Sequence, residues 1–360
     1  MKRIFNVKCS GMQAFFYGFV MSWWLPHKFE GKIDNLRVRG RVIKALRRFF
    51  DGQDFDEVET PALQICPVMD AHIHAFKTLY KPVDKSGDKN LYLMTSPEFD
   101  MKKLLAAGME KIYQIAPVYR NGESTRLHSP EFTLLEWYRA GCDYTALMDD
   151  CVQILRDVAV ALEVQEYTNG NKVCDAFAPM QRLSVVDAFD HFVGIDLIPL
   201  LDDLSAFKMA AQKTGIRVCD SDLWDDVFHA IMAEKIEPYL GLECATILYD
   251  YPVSMAALSR PKYEDARFAE RFEFYVCGVE LANAFSELTD VSEQRKRYEE
   301  EMLLKQNFYG ETYPADEEFF KALEYGFPQS AGIALGVDRL VMLACGAGDI
   351  NDVRWAPVPI

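Results

Sequence analysis

Residues Lys111 to Arg139 set the tightest limit on the fold. An alternating run from Lys111 to Tyr119 is followed by a charged stretch from Arg120 to Pro130 and a second alternating run from Glu131 to Arg139. A period of two puts successive side chains on opposite faces of a strand, so the pattern predicts two strands joined by a charged loop. Phe132, Leu134, Glu136 and Tyr138 then share one face, and Glu131, Thr133, Leu135 and Trp137 the other. The first face carries an aromatic ring, a carboxylate and a phenol in a row. Phe132 suits stacking on a base, Glu136 suits an ammonium group, and Arg120 suits bidentate capture of a phosphate. A half-buried strand with one solvated glutamate would give the same alternation.

At 360 residues the chain can bury a full-sized core as one large domain or two smaller ones. Half its residues are apolar and 26% charged, with no repeat or low-complexity tract, which marks a globular protein. The formal net charge of -16 repels nucleic acid at long range and favours a basic protein loop as partner. Nine cysteines without a CxxC pair point to reduced thiols and a cytoplasmic setting. His72 and His74 would share a strand face, but no neighbouring cluster completes a metal site, so they read as structural. Met12 to Leu25 is apolar, yet too short to span a bilayer and without a small-residue cleavage site. Residues 1–32 are read as an N-terminal extension outside the fold, with residues 1–20 poorly ordered.

Apolar residues recur at helical spacing from Leu36 to Phe50, while Arg37, Arg41, Lys44, Arg47 and Arg48 take other faces; Asp34 is the expected N-cap. Phe55 to Pro61 reads as a short strand ended by proline. A strand from Leu91 to Met94 leads into a helix with Ser96 as cap, Pro97 in its first turn and Gly108 as its stop, which places Glu98 on the rim of a sheet. Residues 140–243 read as mostly helical, with no evident chemistry. Sheet patterns return at Thr246 to Tyr251 and Arg271 to Phe285, followed by a charged helix and another near Glu317 to Tyr325. The simplest architecture is α+β, an antiparallel sheet flanked by helices.

Glu273, Glu280 and Glu287 are spaced seven apart. A two-residue hairpin turn at Cys277–Gly278 would pair Val276 with Val279 and Tyr275 with Glu280, so Glu273 and Glu280 emerge on one face, where they could clamp Mg²⁺ on a triphosphate. Asn283, Phe285 and Glu287 have the other parity. Bringing them to the same pocket requires a β-bulge, expected near Ala282 to Ala284. A surface hairpin with solvated acids is the alternative. The closing segment Gly332 to Leu343 reads as a strand, a glycine turn at Gly336 and a helix whose first turn presents Arg339, a second cation for a phosphate chain.

In this order the segments resemble motifs 1, 2 and 3 of the class II aminoacyl-tRNA synthetases, closest to the lysyl branch, over residues 33–360. Val58 to Pro61 resembles motif 1, Arg120 to Glu136 motif 2 and Gly332 to Arg339 motif 3. The resemblance implies the class II catalytic fold, ATP and Mg²⁺ as cofactors, and a homodimer through the region near Pro61. It implies ATP contacts from Arg120, Asn121, Gly122, Glu123, His128, Ser129, Phe132, Glu280, Leu281, Gly336 and Arg339, with Arg120 and Arg339 catalytic and Mg²⁺ on Glu273 and Glu280. A lysine-like substrate would meet Ser96, Pro97, Glu98, Glu136, Tyr138, Asn283, Phe285, Glu287 and Ala334. The residues before Ile33 are too few for an anticodon-binding OB-fold, and Ala334 stands where the tRNA-charging enzymes usually carry glycine. The chain is therefore similar to the stand-alone lysyl-type paralogs that attach (R)-β-lysine or lysine to elongation factor P, with no membrane partner and tRNA not the expected acceptor. A compact enzyme that charges tRNA or makes free lysyl-adenylate is the second possibility, and a binding regulator without catalysis the third. The family reads Arg-Asn-Glu where this chain has Arg120-Asn121-Gly122, and His-Asn-Pro-Glu where it has His128-Ser129-Pro130-Glu131. The adenine-reading carboxylate is thereby displaced, to Glu123 or to the loop backbone.

Overall fold

The computed structural model describes residues 23–360. Of the extension expected over residues 1–32, positions 1–22 lie outside the described residues, and with them the expectation for residues 1–20. Among the described residues the strands run, in chain order, β1 (Asp56–Glu57), β2 (Leu63–Gln64), β3 (Lys77–Tyr80), β4 (Lys89–Leu93), β5 (Lys111–Tyr119), β6 (Glu131–Ala140) and β7 (Glu166–Asn169). They continue with β8 (Lys172–Asp175), β9 (Gln181–Ser184), β10 (Glu243–Cys244), β11 (Thr246–Pro252), β12 (Phe268–Val276), β13 (Val279–Ser286) and β14 (Ser330–Gly336). Eight of them form the central sheet, in the order β1-β5-β6-β14-β13-β12-β11-β9. Pairing is antiparallel from β5 across to β11 and parallel only at the two edges, β1 with β5 and β9 with β11. The expected α+β architecture, an antiparallel sheet flanked by helices, is what forms.

One face of this sheet is covered by the helices Ile33–Asp51, Tyr144–Leu162 and Val337–Cys345. Alternation along β6 sends Leu135 and Trp137 into that layer with Phe50, Tyr113, Leu155 and Val341. Phe50 stacks on Tyr113 with ring centroids 4.3 Å apart and meets Trp137 edge-on at 5.5 Å. Burying each such side chain contributes roughly 1.5–3 kcal/mol, which fixes the strand register and leaves Leu134, Glu136 and Tyr138 facing the other way. The sheet thus has a structural face and a working face.

Local boundaries depart from the sequence reading for identifiable reasons. Asp34 is not an N-cap: a short turn, Glu30–Lys32, feeds directly into the helix, and Asp34 sits in its first turn, paired with Arg37 at 3.0 Å. Pro97 takes the cap position of Glu98–Ala106, and the Ser96 hydroxyl accepts the Glu98 N–H at 3.1 Å from outside the helix. The strand expected from Phe55 to Pro61 is reduced to β1. His72 and His74 lie outside any strand, meeting the Tyr309 hydroxyl at 2.9 Å and the Glu311 carboxylate at 3.0 Å. Residues 140–243 hold four α-helices, but also β7, β8 and β9. Phe189, Phe207 and Phe228 build a second core there, against Tyr251 and Tyr275. No described helix is long and apolar enough to cross a membrane.

The turn at Cys277–Gly278 forms as expected. Both residues have positive φ, 53° and 69°, which suits the tight hairpin turn whose twist matches the flanking strands. Tyr275 pairs with Glu280 and Val276 with Val279. The bulge expected near Ala282 to Ala284 is present beside that stretch: Phe274 pairs with Ala282 and Tyr275 with Glu280, so Leu281 is the extra residue. Leu281 and Ala282 are both apolar and both turn into the core. Two successive inward residues reverse the parity, and Glu280, Asn283 and Phe285 emerge together on the working face.

Candidate active site

On the working face lies a cavity of about 350 Å³. Its floor is the sheet itself. One row across the strands runs Glu136, Ala334, Asn283, Glu273, and the next runs Tyr138, Gly332, Phe285, Arg271. Its rim is the Thr95–Glu98 junction, the loop Arg120–Ser129 and the start of the helix Val337–Cys345. Of the residues expected at a site, Ser96, Glu98, Arg120, Glu123, His128, Ser129, Phe132, Glu136, Tyr138, Glu280, Leu281, Asn283, Phe285, Ala334, Gly336 and Arg339 all line this one cavity. Pro97, Asn121, Gly122, Glu273 and Glu287 do not.

One end is acidic. Glu136 is 2% exposed and accepts from the Ser96 hydroxyl and the Tyr138 phenol, each at 2.6 Å. Burial, and then the neighbouring charge of Glu98, push its carboxyl up to about 7. Glu287 lies just behind the wall, fully buried, with neither carboxylate oxygen in a directed hydrogen bond. Burial raises it to about 8 against the opposing attraction of Lys102. A Cβ on Gly332 would fall 2.2 Å from the Tyr138 ring and 2.5 Å from Glu287 Oε1, so only glycine allows this approach. Lys102, unmarked in the sequence, is buried at 2.6 Å from Glu287 Oε2 and in contact with Glu98.

The other end is cationic. Arg120 and Arg339 both reach the cavity; Arg120 lies over the Phe132 ring at 5.2 Å, 3.7 Å from Glu123, and its buried Nε has no partner. Arg339 donates to the Glu280 carbonyl at 2.7 Å and meets His128 Nε2 at 2.6 Å. Arginine can only donate, so Nε2 accepts and the ring proton sits on Nδ1, where it is donated to Thr125 Oγ1 at 2.7 Å. Burial and the adjacent Arg339 hold the His128 pKa below its ordinary value, which keeps the ring neutral. Asp338 anchors this helix, accepting from Arg39 at 2.6 Å and from the Thr133 N–H at 2.6 Å.

The acid pair expected to hold a metal is unequal. Glu273 spends Oε1 on Arg271 at 2.8 Å and Oε2 on the hydroxyls of Tyr251 and Tyr275 at 2.6 and 2.5 Å. Glu280 keeps a partly exposed carboxylate, 3.7 Å from Arg339. A third acid, Glu237, was not visible as a site residue in the sequence; burial and the charges of Glu273 and Glu280 raise it to about 7. Magnesium takes one or two carboxylates and completes its shell with phosphate oxygens and water. Glu280 fits that demand, whereas Glu273 fits a supporting position behind it. Among the described residues no group of three His, Cys, Asp or Glu forms a protein-only metal cage.

The displaced acid of the charged loop also has a place. Gly122 adopts φ +87°, a conformation costly for glutamate, and stays out of the wall, while Glu123 and Ser129 face the cavity. Asn121 turns away, its N–H bonded to the His74 carbonyl at 2.7 Å.

Residues 24–358 match the family described as tRNA synthetases class II (D, K and N). The chain belongs to this synthetase family. Its relatives include proteins named elongation factor P–(R)-beta-lysine ligase. That of Proteus mirabilis is 40% identical over 337 residues, covering 93% of this chain and 97% of the relative. Those of Vibrio atlanticus and Vibrio parahaemolyticus are 37% and 38% identical, covering 94% of this chain and 99% and 98% of their own lengths. The three segments that carry the synthetase resemblance are those that the fold assembles: Val58 to Pro61 beside β5, Arg120 to Glu136 across the cavity mouth, and Gly332 to Arg339 along its floor.

Proposed function

We propose that this synthetase-family protein activates a lysine-type diamino acid, (R)-β-lysine, with ATP and transfers it to a lysine side chain of elongation factor P in the cytoplasm. The substrate carboxylate attacks the α-phosphorus of ATP, giving an aminoacyl-adenylate and pyrophosphate. The acceptor amine then attacks the carbonyl carbon, forming an amide, releasing AMP and losing a proton to solvent. The observation that carries this reading is one cavity with the buried carboxylate of Glu136 at one end, Glu287 behind its wall there, and two arginines at the other end. Glu98, Glu136 and Glu287 take the ammonium groups. Arg120 and Arg339 oppose the charge that develops on the phosphate chain. Phe132 offers the base a stacking face, and Glu123 offers it a hydrogen-bond acceptor. Ala334, between Glu136 and Asn283, sets the depth of the amino-acid pocket. Mg²⁺, on Glu280 with Glu273 behind it, supplies charge neutralisation to the triphosphate.

A second groove of about 220 Å³ shares Asp70, Leu258, Asn283 and Phe285 with the cavity and carries Asp225 and Glu301, an approach suited to an ammonium-bearing acceptor side chain. A homodimer through the region near Pro61 belongs to the same reading, since Leu63, Ile65 and Leu79 leave about half their surface exposed there.

The deciding experiment incubates the protein with ATP, Mg²⁺ and (R)-β-lysine or α-lysine, with either elongation factor P or total tRNA as acceptor. A mass increase on the factor is expected. Acylated RNA with unmodified factor would replace this proposal with a tRNA-charging enzyme, and absence of pyrophosphate exchange with every lysine isomer would favour a regulator.

A further inference from the structure

Lys102 is a fully buried lysine in a place where burial is expensive. It stands on the helix Glu98–Ala106, one turn beyond Glu98, and its side chain is 2% exposed. Nζ contacts the Glu98 carboxylate and lies 2.6 Å from Glu287 Oε2, over the ring of Phe285 at 5.3 Å and near that of Phe319 at 6.0 Å. It does not line the cavity; Glu98 and Phe285 do. Anything it does for a ligand, it does through those neighbours.

The charges facing this point are Glu98 from its own helix, Glu136 and the Tyr138 phenol from β6, and Glu287 just after β13. Burial alone would lower the lysine pKa, but the attraction of Glu287 and Glu98 outweighs it and the net shift is upward, so Lys102 stays charged. With all three carboxylates ionised, the state that an incoming ammonium group favours, one internal cation leaves a surplus of two negative charges. The proposed substrate class carries two ammonium groups.

We propose that Lys102 is a positioning residue that sets the charge of the amine pocket to match a diamino acid. Without it, the three carboxylates would crowd together with no internal counter-charge and would hold their protons to higher pH. With it, Glu98 and Glu287 are held apart by a shared counter-charge, and while Oε2 of Glu287 faces Lys102 its buried Oε1 is left without a partner for an incoming N–H group. A monoamine of the same length leaves one carboxylate unpaired, so the match selects against it. This inference rests on the diamino-acid reading above.

The test compares wild type, Lys102→Met and Lys102→Arg by pyrophosphate exchange, with α-lysine, (R)-β-lysine and the monoamine norleucine. The neutral variant is expected to raise the KM for the diamino acids about tenfold while kcat and the KM for ATP stay within about threefold. It is also expected to move the pH dependence of that KM upward, with Lys102→Arg restoring both. Unchanged diamino-acid KM in Lys102→Met, or parallel loss in kcat and in ATP affinity, would overturn the proposal and leave the lysine as packing. Should Lys102→Met not fold, proton release carries the test. Calorimetry of wild type with (R)-β-lysine at pH 7, in buffers of different ionisation heat, should show release of about one proton, and no release would overturn it. If wild type activates no diamino acid at all, the functional reading falls first.

Discussion

Arg339 donates to His128 Nε2 at 2.6 Å, a contact that exists only while the imidazole is neutral. The neighbouring guanidinium and burial keep the ring pKa below 6.5, so the contact persists at neutral pH and is lost on acidification. The sign follows directly: the stability that this histidine contributes is present above 6.5 and disappears as pH falls through the lower folded-state value. Acidification below pH 6 is expected to raise the KM for ATP, measured by pyrophosphate exchange at saturating amino acid. His128→Gln should flatten that limb.

The amine pocket titrates in the opposite sense. Glu136 and Glu287 are raised to about 7 and about 8, so both are largely neutral at pH 6, while at pH 8 Glu136 is mostly ionised and Glu287 about half ionised. The KM for a diamino acid is expected to fall as pH rises between these limits, by up to about tenfold per unit per carboxylate. Both carboxyls contribute stability below 4.5 that is lost as pH rises through 7 and 8. Thermal shifts induced by (R)-β-lysine should therefore be larger at pH 8 than at pH 6.

Gly332→Ala places a methyl group against the Tyr138 ring and Glu287. Overpacking of this kind costs roughly 1–3 kcal/mol. A lower Tm is expected together with a KM for the amino acid raised at least about tenfold, while the KM for ATP changes little. Equal effects on both would show that Gly332 serves the whole sheet rather than the amine end.

Arg39 and Asp338 form a buried pair, with side chains 10% and 2% exposed, that ties the helix Ile33–Asp51 to the segment presenting Arg339. Arg39→Met leaves Asp338 buried without its counter-charge, at a cost of roughly 3–5 kcal/mol. Denaturant unfolding measures this directly. Arg339→Ala, in contrast, is expected to leave the unfolding midpoint nearly unchanged and to abolish adenylate formation.

Local patterning made the working face legible. The ends of β5 match the alternation from Lys111 to Tyr119, and β6 extends only one residue past Arg139. The polar groups of the charged loop and closing motif converge as their residue types suggested. Lys102 was not legible, because nothing in its helix marks it as buried: Glu98 one turn before it reads as an ordinary helical ion pair, and the second partner, Glu287 just after β13, is far away in sequence. The bulge near Ala282 is legible from the parity reversal that the pocket requires, and the two successive apolar residues Leu281 and Ala282 fix its position. In the helical region, Gly170–Asn171 is an ordinary hairpin signal, and it does form the turn between β7 and β8. That strand pair was too short to stand out from the surrounding helices.

The extra residue at Leu281 makes chain length here as binding as residue identity. Removing one position between the hairpin tip and Ala282 would rotate Asn283 and Phe285 under the helices and bring alanine methyls to the ligand side. Side-chain swaps at Ala334 or Asn283 leave the frame intact, so new amino-acid preferences are reachable by substitution, whereas indels in this stretch would erase the pocket outright.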